Sequence, residues 1–157
     1  MRTYLDWNAT TPLRAEVKAA IVDALEISGN PSSVHTEGRA AKMALERARE
    51  QVSVALGAEG ADVVFTSGTT EAAAMILAGN GIRCAEVEHS AIKVWCDKTL
   101  PVDGNGIVMV DDPAMTTLQL ANSETGVMQD LPQGLGSSDL TQAFGKVPFA
   151  FNWLGVT

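Results

Sequence analysis

The sequence predicts a layered α/β domain, and three observations carry that expectation. Short β-branched runs recur along the chain, segments with helical apolar spacing alternate with them, and Gly, Asn or Asp clusters punctuate the joins. Thr11-Pro12 predicts a helix start, with Val17, Ile21, Ala24 and Leu25 at helical spacing and a stop at Ser28-Gly29. Asn30 to Ser33 is a loop by composition. A second helix is expected from about Gly38 to Leu56, with Ala41, Ala44, Leu45, Ala48, Val52 and Ala55 on one stripe, closed by Gly57.

Asp62 to Thr66 predicts a strand that runs into the turn Gly68-Thr69-Thr70 and a short helix ending at Gly79. Ile82 to Glu88, Ile107 to Val110 and Thr117 to Ala121 are further strand candidates. Asp103-Gly-Asn-Gly106 is a tight turn rather than a calcium loop, because the next ligand position falls on Ile107 and no acid closes the far end. No internal repeat, low-complexity tract or interdomain linker is visible. The last segment, Phe149 to Thr157, is rich in large apolar groups and reads as chain inside a core rather than a polar tail.

The 157 residues suit one domain, and an apolar share of 46% suffices for a buried core. No apolar run approaches the roughly 20 residues of a membrane-spanning helix, and the first residues lack the apolar core of a secretory signal, so a cytoplasmic protein is expected. A formal charge of −8 repels a phosphate backbone, which argues against nucleic acid as a partner. Cys84 and Cys96 match neither a redox pair nor a zinc site and are expected to be structural thiols. His35 and His89 are too far apart in sequence to suggest a metal centre, and none is expected.

In open α/β sheets ligands lie beyond the carboxyl ends of the strands. The residues that follow the strand candidates are therefore the candidate site: Thr69 and Thr70, His89, Asn122 and Ser123, and Asp139 with Gln142. Gly68 lets backbone approach closely, and the helix N-terminus behind it offers N–H groups and partial positive charge to a phosphate. Alone, that turn is equally a plain helix cap, His89 a structural histidine and Asp139 a turn residue. The pattern is neither a P-loop nor a dinucleotide fingerprint.

Five ordered motifs resemble the cysteine desulfurases of the class V aminotransferase branch of fold type I pyridoxal phosphate enzymes. They are Tyr4 to Pro12, Gly29 to His35 with Gly38-Arg39, Val64 to Glu71, Glu88-His89 with Asn122 to Gly126, and Asp139-Leu-Thr-Gln142. The resemblance implies the three-layer, mostly parallel sheet of the family's large domain in truncated form, with residues 1–157 as its N-terminal segment and first part and the small C-terminal domain absent. It implies pyridoxal 5'-phosphate as cofactor. Thr69 and Thr70 would hold the phosphate, Asp139 the pyridine nitrogen and Gln142 the phenolic oxygen. His89 would stack on the ring and serve in catalysis, with Asn122 and Ser123 beside the cofactor.

The same resemblance implies L-cysteine or a similar amino acid as substrate, a homodimer, and a sulfur-acceptor protein as partner. It also exposes departures. Ser123 stands where the family places asparagine, which puts the substrate's orientation in question, with Asn122 as a candidate to compensate. The family's covalent anchor lysine lies beyond the last residue of this sequence, as do the carboxylate-gripping arginine and the persulfide cysteine. Lys18, Lys42, Lys93, Lys98 and Lys146 match no such anchor. The chain is therefore expected to bind the cofactor non-covalently at best, to be inactive alone, and to associate through an exposed sheet edge. A non-catalytic interaction module and a selenocysteine lyase-like enzyme are the alternative readings.

Overall fold

The computed structural model describes residues 2–155, which divide into two compact units with the boundary between Ala55 and Leu56. In the first unit, helix α1 spans Ala15–Leu25 and helix α2 begins at Thr36 and runs to Leu56. The start of α1 corrects the expectation at Thr11-Pro12: Arg14 is the N-cap, with extended backbone. Proline at residue 12 fixes its own φ, which suits a first turn without requiring one. The α1 stripe has helical spacing, yet no residue of the helix is buried, and Val17, Ile21 and Leu25 are all exposed. The spacing therefore specified the helix and not its packing.

Between the helices, the loop at Asn30 to His35 is wired to the first turn of α2. Ser32 N donates to Asn30 Oδ1 (2.9 Å), Gly38 N to His35 Nδ1 (3.3 Å) and Arg39 N to His35 O (3.0 Å). Gly38 is buried, and a Cβ there would lie 2.3 Å from Ser33 O, so only glycine lets the loop lie this close.

The second unit carries the sheet. Strand β1 (Arg83–Ala85) pairs in parallel with β2 (Asp97–Leu100), with a bulge between Cys84 and Ala85. Residues 116–121 extend this arrangement through a parallel bridge Arg83 to Thr116, and Ser137 adds a further parallel bridge to Thr117. The bonds Thr117 N to Arg83 O (3.0 Å), Leu118 N to Ser137 O (3.3 Å) and Leu120 N to Asp139 O (3.4 Å) hold the four segments side by side. The expected parallel α/β pattern is thus present, with short ladders. The strand expected over Ile82 to Glu88 ends at Ala85, because Glu88 N turns back to Ala85 O (3.1 Å).

Alternation across β1 makes two cores. Cys84 faces a cluster with Ala73 and Leu77 of α3 (Thr69–Leu77) and Ile92 of α4 (Ser90–Lys93). Ala85 faces the other way, into Leu100, Val108, Leu118 and Leu135. Leu77, Leu118 and Leu135 are fully buried, each contributing about 2 kcal/mol by removal of apolar surface from water. The expected strand at Asp62 to Thr66 does not form: the segment is irregular, with Val64 and Phe65 exposed. Its β-branched composition favours a pleated, half-buried surface, and none is offered to it here.

Parallel neighbours require a crossover, commonly a helix. Between residues 121 and 137 the chain uses a hairpin instead. Asn122 N bonds Val127 O and Gln129 N bonds Leu120 O (2.9 Å each), with an antiparallel bridge from Ala121 to Met128. Buried Gln129 stitches this hairpin to the one before it, accepting from Val108 N (3.0 Å) and donating to Gly106 O (2.8 Å). That preceding hairpin contains the expected turn, in which Asp103 Oδ1 accepts from Asn105 N and Ile107 N (2.8 Å each). A 3-10 turn at Pro113–Met115 precedes residues 116–121, and α5 (Phe151–Leu154) ends the described chain.

Candidate active site

The site lies wholly within the second unit, at the carboxyl ends of its parallel segments. Helix α3 starts at Gly68, whose φ of 158° and ψ of 179° belong to a region essentially reserved for glycine. Glycine has no side chain to cap the helix, so nothing at the N-cap position competes for the first N–H groups. The turn is instead held from behind. Glu71 Oε2 accepts from both Ser67 N and Ser67 Oγ (2.6 Å each), and these bonds hold its carboxyl below the usual carboxylate range.

His89 follows β1 and is the N-cap of α4. Its Nδ1 accepts from Ala91 N (3.2 Å), which leaves Nε2 as the ring's N–H donor. Asp139 follows Ser137. Its Oδ1 accepts from Thr141 N (2.9 Å), and its Oδ2 accepts from Gln119 Nε2 (3.1 Å). Thr141 Oγ1 meets Thr69 Oγ1 at 3.2 Å, linking the Asp139 segment to the start of α3. Gln142 Oε1 accepts a short hydrogen bond from Lys146 Nζ.

Thr69, Thr70, His89, Ser123, Asp139 and Gln142 all line one pocket of about 120 Å³. Six of the seven residues named from sequence are therefore brought together. Asn122 is not: it is buried behind the wall and holds the loop. Its Nδ2 donates to Val87 O (2.9 Å), and its Oδ1 accepts from Glu124 N and Thr125 N (2.9 Å each). With its amide committed in this way, Asn122 is not placed to compensate for the shorter Ser123.

The pocket also contains Ala91, Gln119 and Thr141, which the sequence reading did not name. Gln119 is 2% exposed and sits between Leu118 and Leu120 on a buried segment. A polar residue at an inward strand position was the available signal. Behind it, Glu88 is fully buried. Its Oε1 accepts from Gln119 N (2.9 Å) while its Oε2 has no hydrogen-bond partner. Burial raises its carboxyl to about 7, against the pull of the Gln119 bond and with a further push from the Asp139 charge.

The cysteines stand apart from this chemistry. Cys84 is fully buried and its thiol is pushed up to about 12, first by burial and then by the neighbouring Cys96; burial also raises Cys96. Neither is a ready thiolate at neutral pH. Among the described residues no group of three His, Cys, Asp or Glu side chains converges as a metal site, and no helix is long and apolar enough to cross a membrane.

A glycine-opened helix N-terminus, two threonines, a histidine and a carboxylate share one pocket on an α/β frame, so anion-binding, basic and acidic groups are brought together there. The comparisons give the family. The aminotransferase class-V family model matches residues 3–130, and the chain belongs to that family. It is 35% identical over 190 aligned positions to cysteine desulfurase IscS of Dictyoglomus turgidum, taking up 98% of this chain and 48% of the relative. Selenocysteine lyase of Bos taurus is 34% identical, over 84% of this chain and 41% of the relative. Among solved structures, a NifS-like protein from Rickettsia africae superposes with a TM-score of 0.85 at 30% identity, over 98% of this chain and 51% of that one.

The chain thus spans about half the length of the relatives it matches. An alignment of 190 positions that uses 98% of 157 residues also leaves tens of the relative's positions facing no residue here. Class V aminotransferases use pyridoxal phosphate, and the residues present fit it: an anion-binding helix start, a carboxylate and an imidazole share one pocket.

Proposed function

We propose that this chain builds the cofactor-holding part of a pyridoxal phosphate-dependent cysteine desulfurase. The observation that carries the reading is the convergence of Thr69, Thr70, His89, Asp139 and Gln142 on one pocket, from segments far apart in sequence. The first turn of α3, with the hydroxyls of Thr69 and Thr70, holds the phosphate. Asp139 would meet the ring nitrogen and favour its protonated form, and His89 would pack on the ring, where it could assist proton transfer. Gln142 would hydrogen-bond the phenolic oxygen. When bound, the cofactor supplies an electron sink for negative charge at the α-carbon of an amino acid.

None of the five lysines lines the pocket. The chain therefore holds the cofactor without a covalent bond and does not by itself release sulfide from L-cysteine. Self-association, a sulfur-acceptor protein as partner and a cytoplasmic setting belong to the same proposal. The exposed Val64 and Phe65 and the exposed face of α1 support self-association, since apolar groups of this size left in water favour burial against another surface. Relatedness to a selenocysteine lyase supports a second substrate reading, in which the amino acid carries selenium.

Titration of the purified chain with pyridoxal phosphate, followed by absorbance and by equilibrium dialysis, tests the reading. Saturable binding that inorganic phosphate displaces, and that borohydride does not make permanent, is expected. Absence of binding sinks the proposal.

A further inference from the structure

Gln119 occupies an unusual place for a polar side chain. It lies on a buried segment between two leucines, is 2% exposed, and yet reaches the pocket wall. Its backbone N–H and both ends of its side-chain amide are hydrogen-bonded within the site. Its backbone N donates to Glu88 Oε1 (2.9 Å), next to His89; its Oε1 accepts from Ser123 N (2.9 Å); its Nε2 donates to Asp139 Oδ2 (3.1 Å) and lies 3.4 Å from Ser123 Oγ.

The amide has one workable orientation. The Ser123 N–H requires an acceptor and the Asp139 carboxylate requires a donor, so Oε1 faces the loop and Nε2 faces the acid. A carboxylate or an apolar group of similar length satisfies only one of these demands, or neither. Asp139 is then gripped on both oxygens, by Thr141 N on Oδ1 and by Gln119 on Oδ2, which fixes the plane of its carboxylate relative to the pocket.

We infer that Gln119 is a positioning residue for the cofactor ring, aiming the Asp139 carboxylate at the ring nitrogen while locking the Ser123 loop to the same amide. The inference rests on the cofactor reading above and deepens it. In this reading Gln119 acts through Asp139, whose Oδ2 it holds, rather than on the phosphate. Its removal affects recognition of the ring nitrogen and leaves recognition of the phosphate intact.

The test uses the full chain, two probes and two variants. The probes are pyridoxal phosphate and its 1-deaza analogue, in which carbon replaces the ring nitrogen. Gln119→Leu removes both side-chain bonds, whereas Gln119→Glu, compared at alkaline pH so that its carboxyl is ionised beside Asp139, keeps the acceptor for Ser123 N and turns the donor facing Asp139 into an acceptor. The wild-type chain should prefer pyridoxal phosphate over the analogue by at least about tenfold, as expected for a hydrogen bond to a charged group, and both variants should lose most of that preference. Competition by inorganic phosphate should be unchanged. Melting curves establish that each variant is folded, and the glutamate variant preserves the test if the leucine variant is not.

A second readout needs no cofactor. Hydrogen exchange at the Ser123 amide should accelerate by about tenfold or more in Gln119→Leu and remain near wild type in Gln119→Glu, because only the first removes its acceptor. Undiminished nitrogen preference in both variants, or unaltered Ser123 exchange in the leucine variant, overturns the role of Gln119. A wild-type chain that binds neither probe overturns the cofactor reading, and the inference with it.

Discussion

Asp103 and Asp139 each accept a hydrogen bond from the backbone N–H two residues on, and they are put to different uses. Asp103 closes on its own loop: Oδ1 accepts from Asn105 N and Ile107 N, Oδ2 meets Asn105 Nδ2 at 3.5 Å, and the Ile107 and Asn105 bonds hold its carboxyl below the usual range. Asp139 gives one oxygen to its own turn, at Thr141 N, and the other to Gln119 on a neighbouring parallel segment. A carboxylate that spends both oxygens locally makes a turn. One that shares them with a neighbouring parallel segment is oriented by the fold, and Asp139 lines the pocket. The region around residue 103 is therefore a connector, and the region around residue 139 a site.

The largest expected effect contrasts the acids by pH. Glu88 has its carboxyl raised to about 7 by burial, so between its unfolded value near 4.5 and 7 the native state binds more protons than the unfolded state. Stability therefore falls as pH rises through that window, by up to about 3 kcal/mol. Asp103 has the opposite sign: its lowered value contributes stability that is present above the ordinary aspartate range and lost as pH falls. Denaturant unfolding across pH 4.5–8 should show the decline, and Glu88→Gln should flatten it. An unchanged slope in that variant removes Glu88 as the cause.

Next in size is loss of the site acid. Asp139→Asn should weaken pyridoxal phosphate by roughly ten- to a hundredfold, the range for one hydrogen bond to a charged group, while Asp103→Asn leaves binding unchanged. Equal losses in the two variants, measured by the same titration, would erase the distinction between connector and site.

Two glycines extend the comparison to the backbone. Gly68 has φ of 158° with nothing near its missing Cβ, so alanine there is strained by conformation alone; Gly104, in the Asp103 turn, also has open space and no positive φ. Gly68→Ala should cost about 1–3 kcal/mol in thermal or denaturant unfolding, and Gly104→Ala a few tenths.

Much of this was legible in the sequence for a physical reason. Segment ends are marked locally, by β-branched runs that stop at Gly, Asn or Asp, and the parallel segments bring His89, Ser123, Asp139 and Gln142 to one pocket; Thr69 and Thr70 reach it at the start of α3, although the strand expected before them is irregular. What was missed depends on pairing. Asp62 to Thr66 has strand composition, but a ladder is a property of two segments. Asn122 was named because it ends a strand, yet its backbone-facing bonds are set by Val87 on a distant segment. Gln119 was hidden inside an apolar run, where periodicity reads a strand and chemistry is not sought.

The smallest effect separates the two threonines' setting from the acid's. Thr69 Oγ1 touches Thr141 Oγ1 at 3.2 Å on the exposed rim, so its hydroxyl is partly engaged before any ligand arrives and contributes one solvent-accessible hydrogen bond to a phosphate. Thr69→Ala should therefore weaken both pyridoxal phosphate and inorganic phosphate by about three- to tenfold, with the preference for the ring nitrogen intact. Asp139→Asn should do the reverse, sparing inorganic phosphate and removing the nitrogen preference. If the two substitutions affect both probes alike, phosphate and ring are not held by separate ends of this pocket, and the division of labour between the α3 start and Asp139 is wrong.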